Sequence, residues 1–272
     1  MRIARALPLV VSLAACAALV SGAGSADARD RKNKVASAAK NDGSGDSSAA
    51  KPWCAPEVVT LSDHVCSFDG GASSSGKRTL VVYLHGAYSE SPGFAYLQQR
   101  AMAFHAKRLG FTVLLPTSPK GQVGFVWPTS QQAIEEQEAT IVRGIKAGRA
   151  ELEKRQGKPF DEVFVIGFSS GAYYASTMVL RSALDVDGYM VLAGGSSWVK
   201  PGGSEGKTRA PVFVGVSAAD PQTAGHSRSF AGSLASMHWP SKVEERNAGH
   251  MVDWTFMEHG LAWLRAQAAA KH

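Results

Sequence analysis

Apolar and polar positions change period repeatedly along this chain. Thr79-Leu80-Val81-Val82-Tyr83-Leu84 is an apolar run of strand length, and similar runs return at Phe111–Leu115, Glu162–Ile166, Tyr189–Ala193, Val212–Val216 and, more polar, Lys242–Arg246. Between them apolar residues recur every three to four positions, which predicts helices over Gly93–Leu109, Gln131–Gln156, Ser170–Ser182, Ser227–Met237 and Trp254–Ala268. Val58–Leu61 and His64–Phe68 predict a short N-terminal β-hairpin ahead of the first long strand. Regular alternation of strand and helix predicts an α/β fold. Its sheet is mainly parallel, helices cover both faces, and ligands are received at the C-terminal ends of the strands.

The first fifty residues do not follow this pattern. Arg2 and Arg5 precede an apolar run from Ala6 to Val20, and small residues continue to Ala26-Asp27-Ala28, the layout of a secretory signal peptide over residues 1–28. The run is shorter than the roughly 18–20 residues a bilayer span needs, so no membrane span is expected. Leu13-Ala14-Ala15-Cys16 also matches a bacterial lipobox, which leaves a lipid anchor at Cys16 as the alternative. The expected location is therefore exported, either periplasmic or extracellular, or membrane-anchored as a lipoprotein. Residues 29–51 are rich in Lys, Ser, Ala, Gly and Asp with little to bury, which predicts a disordered linker before a folded domain over 52–272.

Charge and cysteine content narrow the function. The whole chain carries a net charge of +6, but the segment from Pro52 onward holds 21 basic against 19 acidic residues, so nucleic-acid binding has no basic stripe to rest on. Beyond the leader two cysteines remain, Cys54 and Cys66, an even pair in an exported chain that predicts a disulfide. Neither a second cysteine pair nor a His-Glu-x-x-His sequence is present, so no metal site is expected. Gly71–Arg78 approximates a phosphate-binding loop. Arg78 replaces its hydroxyl, however, and the segment precedes a strand where such a loop should follow one.

One corner breaks the apolar pattern in a way that folding alone does not favour. Gly167-Phe168-Ser169-Ser170-Gly171 joins a predicted strand to a predicted helix, and two glycines there weaken both elements. Gly-x-Ser-x-Gly in this context is a nucleophile elbow, which holds the central serine above the sheet in strained backbone. Serine needs a histidine base and an orienting carboxylate, in the chain order Ser, acid, His. Asp220 follows the strand Val212–Val216, and His250 follows Lys242–Arg246. His226, His238, His259, His64 and His105 fit that order or those loops less well. Two backbone N–H groups must hold the oxyanion. Ala87, after the strand ending in Leu84-His85-Gly86, and Ser170, at the helix start, are placed to supply them, with His85 shaping the loop.

Through His85-Gly86-Ala87, Gly167-Phe168-Ser169-Ser170-Gly171, Asp220 and Ala248-Gly249-His250, residues 52–272 resemble the α/β-hydrolase family, in particular its secreted esterases and polyhydroxyalkanoate depolymerase-like members. The resemblance implies hydrolysis of carboxylic esters, small or polymeric, through an acyl-serine and without a cofactor. Transfer of the acyl group to another acceptor by the same triad is one alternative; a catalytically silent binding module on the same fold is the other. Members that bury their substrate commonly carry a cap after the strand that here ends near Ala193. Only residues 194–210 separate that strand from the next, so no cap domain is expected. Tyr88, Trp127 and Trp198 are then the candidate substrate-binding walls of an open cleft. The number of subunits is not legible from the sequence.

Overall fold

The computed structural model describes residues 53–62, 64–88, 92–121, 124–196 and 209–270. The expected leader, the Cys16 anchor and the linker lie outside the described residues. Among the described residues ten strands and five helices follow one another as β1 (Val59–Ser62), β2 (Val65–Asp69), β3 (Thr79–Leu84), α1 (Pro92–Leu109), β4 (Thr112–Pro116), β5 (Lys120–Gly121), β6 (Gly124–Phe125), α2 (Gln131–Gln156), β7 (Glu162–Phe168), α3 (Ser170–Arg181), β8 (Gly188–Leu192), β9 (Val212–Ser217), α4 (Ala224–Ser236), β10 (Ser241–Arg246) and α5 (Trp254–Ala269).

Eight of the strands form one sheet in the order β1-β2-β4-β3-β7-β8-β9-β10. The six from β4 to β10 run parallel, while the N-terminal hairpin joins antiparallel through β2 against β4. Side chains alternate across the sheet with the strand period of two. In β3, Leu80, Val82 and Leu84 enter a core with Ile134 and Ile145 of α2, Tyr174 and Met178 of α3, and Phe230 of α4. Val81 and Tyr83 enter the opposite core with Met102 of α1 and Phe256 and Leu261 of α5. The expected two-faced architecture is therefore present. At the edge of the sheet β10, with sequence Ser-Lys-Val-Glu-Glu-Arg, is largely exposed, and its charges protect the strand's outer side from edge association.

Cys54 and Cys66 are joined by a disulfide with their Cα atoms 5.6 Å apart, both side chains buried. It pins the chain before β1 to β2. Reduction is expected to lower unfolding free energy by at most about 3 kcal/mol, the scale for a loop this short. Denaturation with and without reductant measures the loss. Thiol titration of the unreduced, unfolded chain from Arg29 onward should find no free thiol, and two would rule the bond out.

Candidate active site

β7 ends at Phe168 and α3 begins at Ser170, leaving Ser169 alone at the corner with φ 52° and ψ −118°. A non-glycine residue in that region costs on the order of 1–3 kcal/mol and persists only where its surroundings impose it. Here the Ser169 N–H donates to the Leu192 carbonyl at 3.1 Å, and the Ser169 carbonyl accepts from Ala172 at 2.8 Å and Tyr173 at 3.1 Å. The flanking glycines are required by close approach. A Cβ on Gly167 would stand 2.3 Å from the Gly171 carbonyl oxygen, and one on Gly171 would stand 2.0 Å from that of Leu84. Backbone thus packs on backbone where α3 crosses β7 and β3, and Ser169 is carried out over the sheet's C-terminal edge.

Two loops from later strands meet it there. The Ser169 hydroxyl lies 2.9 Å from His250 Nε2, and His250 Nδ1 lies 2.6 Å from Asp220 Oδ2. Asp220 is buried, and it also accepts from the Thr223 hydroxyl at Oδ2 and from the Gln222 N–H at Oδ1, 3.1 Å away. Burial is the largest influence on its carboxyl and raises the pKa. The hydrogen bonds from Thr223, His250 and Gln222 together outweigh burial and hold the group below its ordinary value. With Asp220 ionised, Nδ1 of His250 carries the proton and Nε2 is free to accept the proton of Ser169. The His250 side chain is 42% exposed, and the Phe168 ring lies 5.0 Å from it, so solvent reaches the base directly.

The loop after β3 comes close to the nucleophile: a Cβ on Gly86 would lie 3.3 Å from Ser169 Cβ. His85 is buried and held at both ring nitrogens, with Nδ1 donating to the Gly86 carbonyl at 2.8 Å and Nε2 accepting from the Ser118 N–H at 3.0 Å. Burial drives its pKa down to about 4, so the ring is neutral; with Nδ1 carrying the donated proton and the Nε2 lone pair taken by Ser118, no nitrogen is left to accept a proton from Ser169. In a trans peptide, C=O and N–H point in opposite directions. Fixing the Gly86 carbonyl on His85 therefore aims the Ala87 N–H away from that ring. Among the described residues neither the Ala87 nor the Ser170 N–H has a hydrogen-bond acceptor, whereas the next one, Gly171 N–H, donates to the His85 carbonyl at 3.1 Å. The Ser170 N–H also lies at the positive end of α3.

Trp127 overturns its sequence expectation. It is 1% exposed, stacks on Tyr174 at 5.7 Å, donates from Nε1 to the His85 carbonyl at 2.9 Å, and donates its backbone N–H to Ser170 Oγ at 3.0 Å. It is a clasp between the elbow and the β3 loop, with no surface left to wall a cleft. Tyr88 is likewise buried, its ring clustered with Trp53 at 5.4 Å and Phe125 at 5.1 Å and its hydroxyl 3.1 Å from that of Thr117. Trp198 lies outside the described residues.

The other histidines stand apart from the triad. His226 lies 2.5 Å from the Tyr173 hydroxyl, His259 pairs with Glu244, and His105 stacks on Trp254. Thr223 escaped sequence reasoning, although Asp220-Pro221-Gln222-Thr223 before a helix is a turn and capping pattern that could have found it. Tyr173, one turn past Ser169 on α3, carried no local signal.

Among the described residues no group of three or more His, Cys, Asp or Glu side chains could hold a metal ion, and no helix is long and apolar enough to cross a membrane. No protein-family model matches the chain, and no curated protein matches it by sequence. Solved structures do match. A carboxylesterase from Mesorhizobium loti is 17% identical over 77% of this chain and 99% of that one, with a TM-score of 0.56. Acyl-protein thioesterase 2 from Zea mays is 16% identical over 75% and 98%, with a TM-score of 0.52. A Bacillus cereus carboxylesterase is 17% identical over 75% and 94%, with a TM-score of 0.51. These likenesses and the strand order agree on the fold, which is that of the α/β-hydrolases.

Proposed function

We propose that this protein is an exported serine hydrolase that cleaves carboxylic esters. In this reading Ser169 Oγ attacks the ester carbonyl while its proton passes to His250 Nε2. The tetrahedral oxyanion is held by the N–H groups of Ala87 and Ser170, and Asp220 steadies the imidazolium that forms. Collapse expels the alcohol, which takes the proton from His250. Water then attacks the acyl-serine with His250 again as base, releasing the acid and restoring Ser169.

The observation that carries the reading is the unbroken line from Ser169 Oγ through His250 to Asp220, at 2.9 and 2.6 Å, beside two N–H groups with no acceptor among the described residues. The two carboxylesterases and the thioesterase described above agree with it. Export rests on the residue pattern of 1–28, and the buried disulfide is in keeping with an oxidising compartment.

A fluorophosphonate probe should label the protein at Ser169. A panel of soluble esters of increasing acyl length, one thioester and one insoluble polyester, assayed with competing alcohols, identifies the substrate class and separates hydrolysis from transfer. No labelling and no turnover would leave the silent binding module standing. Because His250 is solvent-exposed, kinetics on short soluble esters are expected to saturate with no jump in rate at a lipid–water interface. A sharp rise above the substrate's solubility limit would instead reveal a mobile cover.

A further inference from the structure

We propose that Gln98 is a positioning residue for the loop that presents Ala87, locked by a buried water that bridges its amide nitrogen to the Trp53 indole; the catalytic part rests on the esterase reading above. Gln98 lies on the inner face of α1 and is 9% exposed. Its Oε1 accepts from the Gly86 N–H at 3.0 Å and from the Tyr83 hydroxyl at 3.0 Å. A backbone N–H can only donate, so the amide oxygen must face Gly86, and the orientation of the whole side-chain amide follows. Nε2 is thereby turned away from Gly86, and there it is buried with no acceptor among the described residues.

The Trp53 indole Nε1 is buried and without an acceptor as well. Both side chains line the same small cavity, beside Tyr83, His85, Tyr88 and Leu115, and its volume of about 10 Å³ is the room of one water molecule. Two buried donors on one cavity need an acceptor, and the two lone pairs of a water supply both bonds. Tyr83 also lines the cavity, and its hydroxyl, which donates to Gln98 Oε1, keeps lone pairs with which to accept in return, giving the water about three partners, the usual number for a buried one. Trp53 is itself held in place: Gln99 Nε2 donates to its carbonyl at 2.9 Å, and the next residue is Cys54 of the disulfide. Gly86 is then gripped at both ends, by Gln98 at its N–H and by His85 at its carbonyl. The direction of the Ala87 N–H depends on that grip.

The test uses the full chain and starts from fluorophosphonate labelling of the wild type. Gln98→Met, of similar length but without hydrogen-bonding groups, is expected to lower kcat about tenfold to a hundredfold, the range for a misaimed oxyanion donor. KM should stay nearly unchanged. A trifluoromethyl ketone that mimics the tetrahedral adduct should lose affinity by the same factor, a readout that a merely structural role would not move. Trp53→Phe removes one partner of the water and should show the same pair of losses, smaller in size. A crystal structure should show an ordered water within hydrogen-bonding distance of both nitrogens, which decides the matter even if Gln98→Met fails to fold. A cavity without that water, or a folded Gln98→Met protein with wild-type kcat and ketone affinity, overturns the proposal. Failure of the wild type to label overturns the esterase reading instead, and with it the catalytic part alone.

Discussion

Ser169→Ala is expected to lower kcat/KM on a short ester by on the order of 10⁴-fold or more and to abolish phosphonate labelling, the scale of loss when a triad nucleophile is removed. The neighbouring hydroxyl cannot take over. Ser170 is buried and its Oγ is occupied as acceptor for the Trp127 N–H. The fold should survive, because alanine enters the same strained corner and the hydrogen bond lost is to the exposed His250. Ser170→Ala is the contrast. It keeps the backbone N–H proposed for the oxyanion and so should retain most activity, but it leaves the Trp127 N–H without a partner, at a cost of about 1–3 kcal/mol in stability. Kinetics and unfolding midpoints of both variants separate the two roles. Retention of more than about 1% of turnover by Ser169→Ala, or equal losses in both, would displace Ser169 as nucleophile.

The elements were legible where their physics is local. The period of apolar positions gave α2 at its observed bounds, Gln131–Gln156, and placed every strand of the main sheet to within one or two residues. α4 begins at Ala224, three residues before the expected start. The turn that begins it is organised by Asp220, whose carbonyl accepts from the Ala224 N–H and whose carboxylate accepts from Thr223. That signal lies in capping chemistry and not in apolar period. The two-residue strands β5 and β6 are too short to show a period at all.

The strained corner at Ser169 and the meeting of Ser169, His250 and Asp220, the candidate triad, were legible because glycine spacing and chain order are written along the sequence. The walls were not. Val126-Trp127-Pro128 between a strand and a helix looks the same whether the indole faces solvent or, as here, Tyr174 and the His85 carbonyl. Gln98 left a trace that went unread. It shares one helical face with Ala95, Gln99, Met102 and Ala106, and two glutamines on a buried face need hydrogen-bond partners that local sequence does not name.

Asp220→Asn tests the other end of the triad and should cost about 10³-fold or more in kcat while Ser169 and His250 stay in place. The amide can still accept from Thr223 or Gln222 through its oxygen, but its NH₂ then faces His250 Nδ1. That nitrogen must give up its proton and accept, so the ring takes the tautomer with hydrogen on Nε2. In that state Nε2 cannot take the proton of Ser169, and no carboxylate is left to offset the charge of an imidazolium. The same variant has a distinct signature in stability. Because the folded pKa of Asp220 lies below its unfolded value, the ionised group contributes stability fully above the ordinary aspartate value of about 3.9 and loses it as pH falls through the folded value. The stability advantage of wild type over Asp220→Asn that comes from this carboxylate should therefore shrink as pH falls below about 4. Denaturant titrations of the two proteins across that range measure it. A difference that grows in wild type's favour as pH falls from about 5 to about 3, where a carboxylate titrates, would mean that the folded protein holds Asp220 protonated, and a neutral carboxylic acid could not support the charge that His250 acquires when Ser169 attacks.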